Sequence, residues 1–395
     1  MSVSISAAST IEDLLAESIE TAQSRAASAF DEAAAPFEDR LVLFGAGALG
    51  RRTLAGLRAT GTPPLAFADN NPAVWGTSID GIPVYSPQAA AERFGTNAAF
   101  VIAIWNGQAT DCMASRVSQL RKLGSERAIP AGLLFWKYPD VFLPYYMMDL
   151  PDKLLGHAEE IRAVFEMWED EASREEYLAQ LTFRLRMDFS ALHTAATGHE
   201  YFPGDLFRLS KTEVLADCGA FDGDTIQTFI EESRGEFASV LAFEPDPLNW
   251  PKLQQRVAGF AAPLRRKIAC FPYAIGGRAG TVMFNATGTQ LSTMGAGGAT
   301  VECVRLDDVL RTENPTLIKF DIEGAELEAL AGAREIVRRC RPILAVSAYH
   351  QQSHLWDIPL ALREMAESYR YYLRPYAAEG FDLMCYAIPE ERCTA

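Results

Sequence analysis

The sequence lacks the features by which disulfide-linked, zinc-binding and membrane-spanning proteins are recognised. Its 395 residues include 7 cysteines, which are widely scattered and form no C-x-x-C pair. An odd number of scattered cysteines indicates reduced, mostly structural thiols rather than a disulfide framework or a zinc site. No stretch approaches the roughly 20 uninterrupted apolar residues that a membrane-spanning helix requires. We therefore expect a globular protein without contact to a membrane.

Positive charge is also scarce, and this disfavours a nucleic-acid partner. Lys and Arg number 36 against 52 Asp and Glu, which gives a formal net charge of −16. Such a charge repels a phosphate backbone, so DNA and RNA are excluded as expected substrates. The first 20 residues carry acids where a secretory signal would be basic and then apolar. A cytoplasmic location is the resulting expectation.

The length exceeds what one hydrophobic core usually supports, so two domains are expected. Strand-like apolar runs alternate with helical patterns in two parts of the chain, and a stretch with helical spacing lies between them. This alternation predicts an α/β fold class with two Rossmann-like domains joined by a helical bridge. The predicted segments are a helical lead-in at 1–36, a nucleotide-binding-type domain at 37–140, the bridge at 141–200, and a second α/β domain at 201–395.

A glycine motif opens the N-terminal α/β part. Gly45, Gly47 and Gly50 form G-x-G-x-x-G between a strand and a helix, and Asp69 ends the next strand about 20 residues later. This is a dinucleotide fingerprint, although the unit is short for a complete two-half Rossmann domain. The stretch ADNNPAVWGTSIDGIPVYSP resembles nucleotide-sugar-binding domains attached to some sugar-modifying transferases. That resemblance implies a nucleotide sugar as ligand or a regulatory nucleotide. A docking or dimerisation domain in a homo-oligomer is the alternative.

Small and acidic residues follow the strands of the C-terminal part. In an open parallel sheet, ligands bind beyond the carboxyl ends of the strands, so these residues meet at one edge. The glycines let the backbone turn and approach a ligand, and Asp224 and Thr225 offer N-cap oxygens to the next helix. The predicted cofactor-binding residues are Asp217, Gly219, Ala220, Phe221, Gly223, Asp224, Thr225, Glu244 and Asp246.

Acidic residues decide which cofactor this edge is expected to bind. Glu244 ends the second strand, where a carboxylate accepts hydrogen bonds from the ribose hydroxyls of a nucleoside. A pyrophosphate prefers a helix N-terminus without carboxylates crowding it. A sulfonium and an ammonium group suit the surplus of acids better. The charge pattern therefore favours S-adenosyl-L-methionine (SAM) over NAD.

The C-terminal part resembles the FkbM-type methyltransferases over 201–395. The resemblance rests on Glu200-Tyr201-Phe202, DCGAFDGDT, FEPD, RLDD, IKFDIEGAE, SAYH and the Trp356–Pro359 region. It implies a seven-stranded class I methyltransferase sheet and methyl transfer to a hydroxyl oxygen of a sugar, glycan precursor or natural product. It also implies that Asp321 lies beside the methyl group. The family often has Asp four residues after the histidine of its YH motif, where this chain has His354.

A hydroxyl becomes a good nucleophile when a base shares or removes its proton. His350, at the end of a strand on the ligand-facing edge, is the leading candidate for this base, followed by Glu323 and Asp321. A hydrogen-bonded structural histidine is the alternative for His350. His350 and His354 could share a helical face as metal ligands, but with no further ligand cluster nearby no metal is expected. The segment GTQLSTMGAGGAT is predicted as a loop or hairpin, with Ser292 and Thr293 as candidate ligand contacts.

The sequence thus favours a SAM-dependent O-methyltransferase, with two alternatives. The first is an NAD-dependent oxidoreductase or epimerase that uses the N-terminal glycine motif. The Tyr-x-x-x-Lys pair that would polarise a hydroxyl in such an enzyme is missing from the chain. The second is a scaffold that binds SAM without turnover.

Overall fold

A computed structural model describes residues 10–193, 195–196, 198–289, 293–294, 298–365 and 367–394. The chain forms two compact units, and both are discontinuous in sequence. The first unit comprises Met1–Arg162, Glu175–Ala195 and Ala377–Phe381; the second comprises Ala163–Arg174, Ala196–Tyr376 and Asp382–Ala395. The segment boundaries predicted from the sequence stay predictions. Among the described residues, no helix is both long and apolar enough to cross a membrane.

The first unit contains a six-stranded sheet with the order β3-β4-β2-β1-β5-β6. All neighbouring strands run parallel except β3, which pairs antiparallel with β4 at the edge. The central strands are apolar and buried on both faces, as covered parallel sheets require. The strands are β1 Leu41–Phe44, β2 Ala66–Ala68, β3 Ser78–Ile79, β4 Ile82–Tyr85, β5 Ala99–Ile102 and β6 Ala128–Pro130.

Helices connect these strands and precede them. Several of them begin with a side-chain cap: Ser86, for example, caps the helix that begins with Pro87, and its hydroxyl accepts a hydrogen bond from the amide of Ala89. The last two helices include the points where the chain passes between the units. The helices are α1 Ile11–Leu15, α2 Ile19–Ala34, α3 Ala48–Ala59, α4 Pro87–Phe94, α5 Met113–Lys122, α6 Ala131–Lys137, α7 Pro139–Phe142, α8 Pro151–Leu155, α9 Ala158–Phe165 and α10 Glu171–Arg186.

The second unit contains eleven strands among the residues described, in two sheets. A seven-stranded sheet has the order β16-β17-β15-β14-β7-β8-β9, and only β17 runs antiparallel to its neighbours. A four-stranded sheet has the order β10-β13-β11-β12. The strands are β7 Val214–Cys218, β8 Ser239–Phe243, β9 Ile268–Phe271, β10 Tyr273–Ile275, β11 Gly280–Asn285, β12 Thr293–Met294, β13 Ala299–Val304, β14 Leu317–Phe320, β15 Ile343–Ser347, β16 Tyr369–Pro375 and β17 Leu383–Pro389.

The strand register of the seven-stranded sheet brings its parallel strand ends together. Cys218, the last residue of β7, lies opposite Phe243 of β8 and Phe320 of β14, and Phe320 lies opposite Val346 of β15. The loops after four neighbouring strands therefore leave the sheet at one edge. The helices of this unit are α11 Asp224–Glu232, α12 Trp250–Gly259, α13 Ala262–Arg265, α14 Leu306–Val309, α15 Glu326–Ala331, α16 Arg334–Cys340 and α17 His354–Met365.

The predicted fold class is confirmed: both units are α/β, and the second has the seven-stranded sheet that the resemblance implies. Two details differ from the prediction. Strands β3, β4, β11, β13 and β16 were not predicted. The run KIACFPYAIGG, predicted as one strand, divides at Pro272 into β9 and β10, which belong to different sheets. Proline lacks the amide that a continuous ladder needs.

Candidate functional site

The loop between β7 and α11 approaches the neighbouring strand ends so closely that glycine is needed in it. Gly219 has φ 87°, and a Cβ there would overlap the backbone oxygen of Asp321 after β14. Gly223 also has a positive φ, 89°. Phe221, with φ 45°, takes the same left-handed region although it is not glycine. The loop therefore exposes backbone at the edge of the sheet, where a ligand can come close to it.

Glu244, directly after β8, fixes the shape of this loop. One carboxylate oxygen accepts a hydrogen bond from the amide of Phe221 at 2.8 Å, and the other accepts from the amide of Asp246 at 2.8 Å. A carboxylate has about four acceptor positions, so acceptor capacity remains for a ligand. Burial raises the pKa of Glu244 to about 7, against the opposing effect of the two amides. The carboxylate is thus placed and oriented before any ligand arrives.

Asp217, on β7, forms a buried ion pair with Lys319, on β14. Both side chains are almost completely buried, and the Lys319 ammonium lies 3.0 Å from Oδ1 of Asp217 and donates to the backbone oxygen of Gly219 at 2.6 Å. Burial raises the pKa of Asp217 to about 6. Burial alone would lower the pKa of Lys319, but Asp217 raises it above its usual value. Oδ2 of Asp217 is buried and has no hydrogen-bond partner within the described part of the chain.

The other predicted cofactor-binding residues lie at the same edge, and several have structural contacts. The amide of Ala220 donates to the backbone oxygen of Phe243. The N-cap prediction for Asp224 and Thr225 is wrong, because Gly223 is the N-cap of α11, without a side-chain cap. Asp224 is the first helical residue, and its carboxylate accepts from the amide of Thr225 at 2.7 Å.

Asp246, the last predicted cofactor-binding residue, is occupied by backbone amides. Its Oδ1 accepts from the amide of Leu248 at 2.6 Å, and its Oδ2 accepts from the amide of Gly288 at 2.9 Å. These bonds hold the start of α12 and the loop after β11. The geometry therefore gives Asp246 a positioning role beside Glu244. Of the two candidate contacts in that loop, Ser292 lies outside the described residues, and Thr293 begins β12.

Asp321 follows β14 and is oriented by two hydroxyl groups. Tyr201 donates to its Oδ2 at 2.9 Å, and Ser347, the last residue of β15, donates to its Oδ1 at 2.8 Å. Its side chain remains 24% exposed. A partly exposed, firmly oriented carboxylate at this edge can accept a further hydrogen bond from a ligand.

His350 lies against Asp321 and two glutamates. Its Nδ1 is 2.8 Å from Oε1 of Glu326, and its Nε2 is 3.6 Å from Oδ1 of Asp321 and 3.7 Å from Oε2 of Glu323. Burial alone would lower the pKa of His350, but Glu326 and the other two carboxylates raise it to about 10. An imidazole without a bound ligand is therefore protonated at neutral pH. This disfavours His350 as the base predicted from the sequence.

The pKa values of the two glutamates are shifted in opposite directions. Burial raises the pKa of Glu323 to about 8. Burial would also raise the pKa of Glu326, but His350 lowers it to about 2. We call Asp321, Glu323 and His350 the acceptor-side cluster; Glu326 lies behind it. Because the cluster is beside the Gly219 loop, the structure brings the three predicted catalytic residues together at the edge that carries the predicted cofactor-binding residues.

His350 and His354 do not share a helical face. His350 precedes α17, which begins at His354, and the two rings contact the same carboxylate. Nδ1 of His354 is 3.4 Å from Oε2 of Glu326. His354 therefore packs beside Glu326 rather than beside the exposed side of the cluster.

The glycine motif of the first unit has the same construction as the loop after β7. Oδ2 of Asp69 accepts from the amide of Ala46 at 2.6 Å, as Glu244 accepts from Phe221. A Cβ on Gly45 would overlap Ile104, and one on Gly50 would overlap the backbone of Gly45.

Gly47 differs from both of these glycines. It has φ −75°, and nothing lies within 4 Å of the position that its Cβ would take. Packing therefore explains two of the three glycines and leaves the open space at Gly47 available to a ligand.

Comparison with known proteins finds a family that the second unit resembles. Residues 217–374 match the family model of the methyltransferase FkbM domain. This segment of the second unit is therefore similar to the FkbM methyltransferase domain. The match includes both Asp217 and the acceptor-side cluster, and it supports a methyltransferase activity.

Solved structures extend the likeness of fold beyond the FkbM domain. The crystal structure of methyltransferase FkbM from Methylobacillus flagellatus KT is 21% identical, with a TM-score of 0.76, over 95% of this chain and 97% of that one. UDP-D-quinovosamine 4-dehydrogenase from Vibrio fischeri is 21% identical over 23% of this chain and 75% of that one, with a TM-score of 0.19, which is too low to support an argument. No curated protein sequence matches the chain significantly.

Four residues of the second unit reach this edge although the sequence analysis did not single them out as site residues: Lys319, Tyr201, Ser347 and Glu326. Lys319 could have been found from the sequence, because a lysine within the apolar strand LIKF needs a buried partner. The contacts of Tyr201 and Glu326 join residues 120 and 24 positions apart, and no local pattern indicates such contacts.

Proposed function

We propose that the protein binds SAM at the carboxyl edge of the seven-stranded sheet and methylates a hydroxyl oxygen. The acceptor class that we propose is a sugar, a glycan precursor or a natural product, as the family resemblance implies. One observation carries the proposal: the buried Asp217, the preoriented Glu244 and the acceptor-side cluster lie at adjoining strand ends around one glycine turn.

The residues of this edge fit the groups of SAM. Oδ2 of Asp217 is a buried acceptor without a partner in the described residues, and an ammonium donor would satisfy it. Glu244 retains acceptor positions for ribose hydroxyls. A pyrophosphate would instead meet several carboxylates, which repel it. When bound, SAM supplies an electrophilic methyl group on a positively charged sulfur.

The acceptor-side cluster would bind and orient the hydroxyl. Asp321 has two hydroxyl donors fixing its position and still reaches solvent, so it can accept the proton of an incoming hydroxyl. Glu323 is the second candidate, because its pKa of about 8 lies near neutrality. His350, as a cation, would stabilise both carboxylates rather than take the proton itself.

Calorimetric titration with SAM, S-adenosylhomocysteine, NAD and a UDP-sugar tests the cofactor assignment. The informative variant is Asp217→Asn, which keeps the size of the side chain beside Lys319. The matched control is Asp69→Asn at the corresponding turn of the first unit. SAM and S-adenosylhomocysteine should bind to the wild type and to the control, and at least about tenfold more weakly to Asp217→Asn, since a charged hydrogen bond contributes about 1.5–3 kcal/mol.

Binding of NAD without binding of SAM would contradict the proposal. Equal loss of SAM affinity in both variants would also contradict it, because Asp69 does not belong to the proposed site. Circular dichroism and thermal unfolding of each variant show whether the fold is retained, so that a loss of binding can be assigned to the site.

A further inference from the structure

One ring nitrogen of His350, Nδ1, has a hydrogen-bond partner, whereas the other, Nε2, has none among the described residues. Nδ1 is 2.8 Å from Oε1 of Glu326, whereas Nε2 makes no hydrogen bond within the described residues although the side chain is only 2% exposed. Nε2 is directed between the carboxylates of Asp321 and Glu323. A buried polar nitrogen in such a position requires an explanation, because unpaired buried groups are costly.

Glu326 determines which ring nitrogen can serve as a ligand. Its Oε1 also accepts from the amides of Ile322 at 3.0 Å and Gly324 at 3.3 Å, so it acts as an acceptor on every side. Nδ1 must therefore carry the proton that it shares with Glu326, and in the neutral ring Nε2 then has the lone pair. A carboxylate that holds the far nitrogen of a histidine in this way is the usual support of a metal-binding histidine.

The spacing of the candidate ligand atoms agrees with a cation between them. Nε2 of His350 lies 3.6 Å from Oδ1 of Asp321 and 3.7 Å from Oε2 of Glu323. Metal bonds of 2.0–2.2 Å put neighbouring ligand atoms about 3.0–3.5 Å apart, so each of these two carboxylate oxygens needs to move only a few tenths of an ångström closer to Nε2 to share a cation with it. Among the described residues, Asp321, Glu326 and His350 offer ligand atoms that all lie within 4.8 Å of one another, and Glu323 adjoins this group through its contact with His350.

We propose that Asp321, Glu323 and His350 bind a divalent metal cation, with Glu326 as the carboxylate that orients His350. Tyr201 and Ser347, which donate to Asp321, would orient the second ligand in the same way. The two carboxylates are 24% and 14% exposed, so one side of the cation remains open. Three protein ligands and an open side are typical of catalytic rather than structural metal sites.

The open side would receive the acceptor hydroxyl, and this part of the inference rests on the proposed function. A cation holds a hydroxyl oxygen in place and lowers its pKa, as it does for bound water. One imidazole and two carboxylates suit cations such as Mn²⁺ and Zn²⁺. Binding of the cation releases the proton from Nε2, so the same ring is a cation when the site is empty and a neutral ligand when the site is filled.

Titration of the full-length, metal-stripped protein with Mn²⁺, monitored by electron paramagnetic resonance of free Mn²⁺, tests the proposal; Zn²⁺ is titrated in parallel by calorimetry. One Mn²⁺ or Zn²⁺ should bind per chain. Glu323→Gln and Asp321→Asn should each weaken cation binding at least about tenfold. Loss of a residue that only supports a metal ligand already weakens metal binding by about this factor, so loss of a direct ligand should do so as well. The matched control is Glu328→Gln, an exposed glutamate on the same helix as Glu326, which should bind as the wild type does.

Failure of the wild type to bind either cation would overturn the proposal, as would equal affinity in the wild type and in the folded Glu323→Gln and Asp321→Asn variants. SAM binding is measured separately on the same samples. A wild-type protein that binds the cation but not SAM contradicts the proposed function. A wild-type protein that binds SAM but neither cation contradicts this inference. The two failures can therefore be told apart.

Discussion

The affinity for SAM should fall as the pH decreases through the range in which Glu244 takes up a proton. Burial raises the pKa of this carboxyl group to about 7 in the protein without ligand. Ribose hydroxyls donate to the ionised form, so protonation removes acceptor positions at the proposed site. If only the ionised form binds, the competent fraction is about 0.9 at pH 8 and about 0.1 at pH 6, which corresponds to about a tenfold loss of affinity, or about 1.4 kcal/mol.

Calorimetric titration with S-adenosylhomocysteine at pH 6, 7 and 8 measures this dependence. Glu244→Gln is the comparison, because it removes the titrating group and keeps one acceptor oxygen. Asp217, whose pKa is raised to about 6, adds a further loss toward pH 6 in both proteins. The difference between the two slopes therefore isolates Glu244.

The wild type should lose about tenfold more affinity between pH 8 and pH 6 than Glu244→Gln. The variant should also bind more weakly than the wild type at pH 8. Parallel slopes in the two proteins would refute the reasoning, because they would mean that Glu244 does not titrate in this range or does not contact the ligand.

Two further substitutions test other parts of the account. Lys319→Met leaves Asp217 buried without its cation and should lower the free energy of unfolding by about 3–5 kcal/mol, measured by urea denaturation. Adding Asp217→Asn should recover a large part of this loss, and an unchanged stability of the single variant would contradict the buried ion pair. Gly47→Ala, with φ −75° and open space around its Cβ, should change stability by less than about 0.5 kcal/mol but weaken UDP-sugar binding in calorimetry; unchanged binding would remove the Gly47 turn from any nucleotide site.

The strand-and-turn parts of the site could be predicted because they depend on neighbouring residues. An apolar run followed by acid and glycine, as in β7 and its loop, contains within about ten residues the strand, the positive-φ positions and the helix start. The N-cap of α11 was predicted incorrectly. Whether the helix begins after Gly223 or after Asp224 depends on backbone dihedral angles, which the sequence does not specify.

The buried pair could be predicted only in part. Lys319 in an apolar strand signals that a buried acid must exist, but its identity as Asp217 depends on the register of β14 against β7, in which these two residues lie opposite each other. The sequence does not specify strand order or register directly, since β7 and β14 are separated by about 100 residues.

The protonation state of His350 could not be predicted from the residues next to it in the sequence. Its position after a buried strand correctly placed it at the edge of the sheet, but its pKa is set by Glu326, at the start of a different helix. Strand β16 was missed for a related reason: Arg370 and Arg374 interrupt its apolar pattern, and their partners, Glu169 and Asp170, lie about 200 residues earlier.

A crystal structure of the protein with S-adenosylhomocysteine tests the central claim most directly. The account predicts that the ribose hydroxyls lie within hydrogen-bonding distance of Glu244, that the ammonium group contacts Asp217, and that the sulfur faces Asp321 across the Gly219 turn. A ligand bound instead at Gly47 and Asp69 of the first unit, with the second unit empty, would contradict the account.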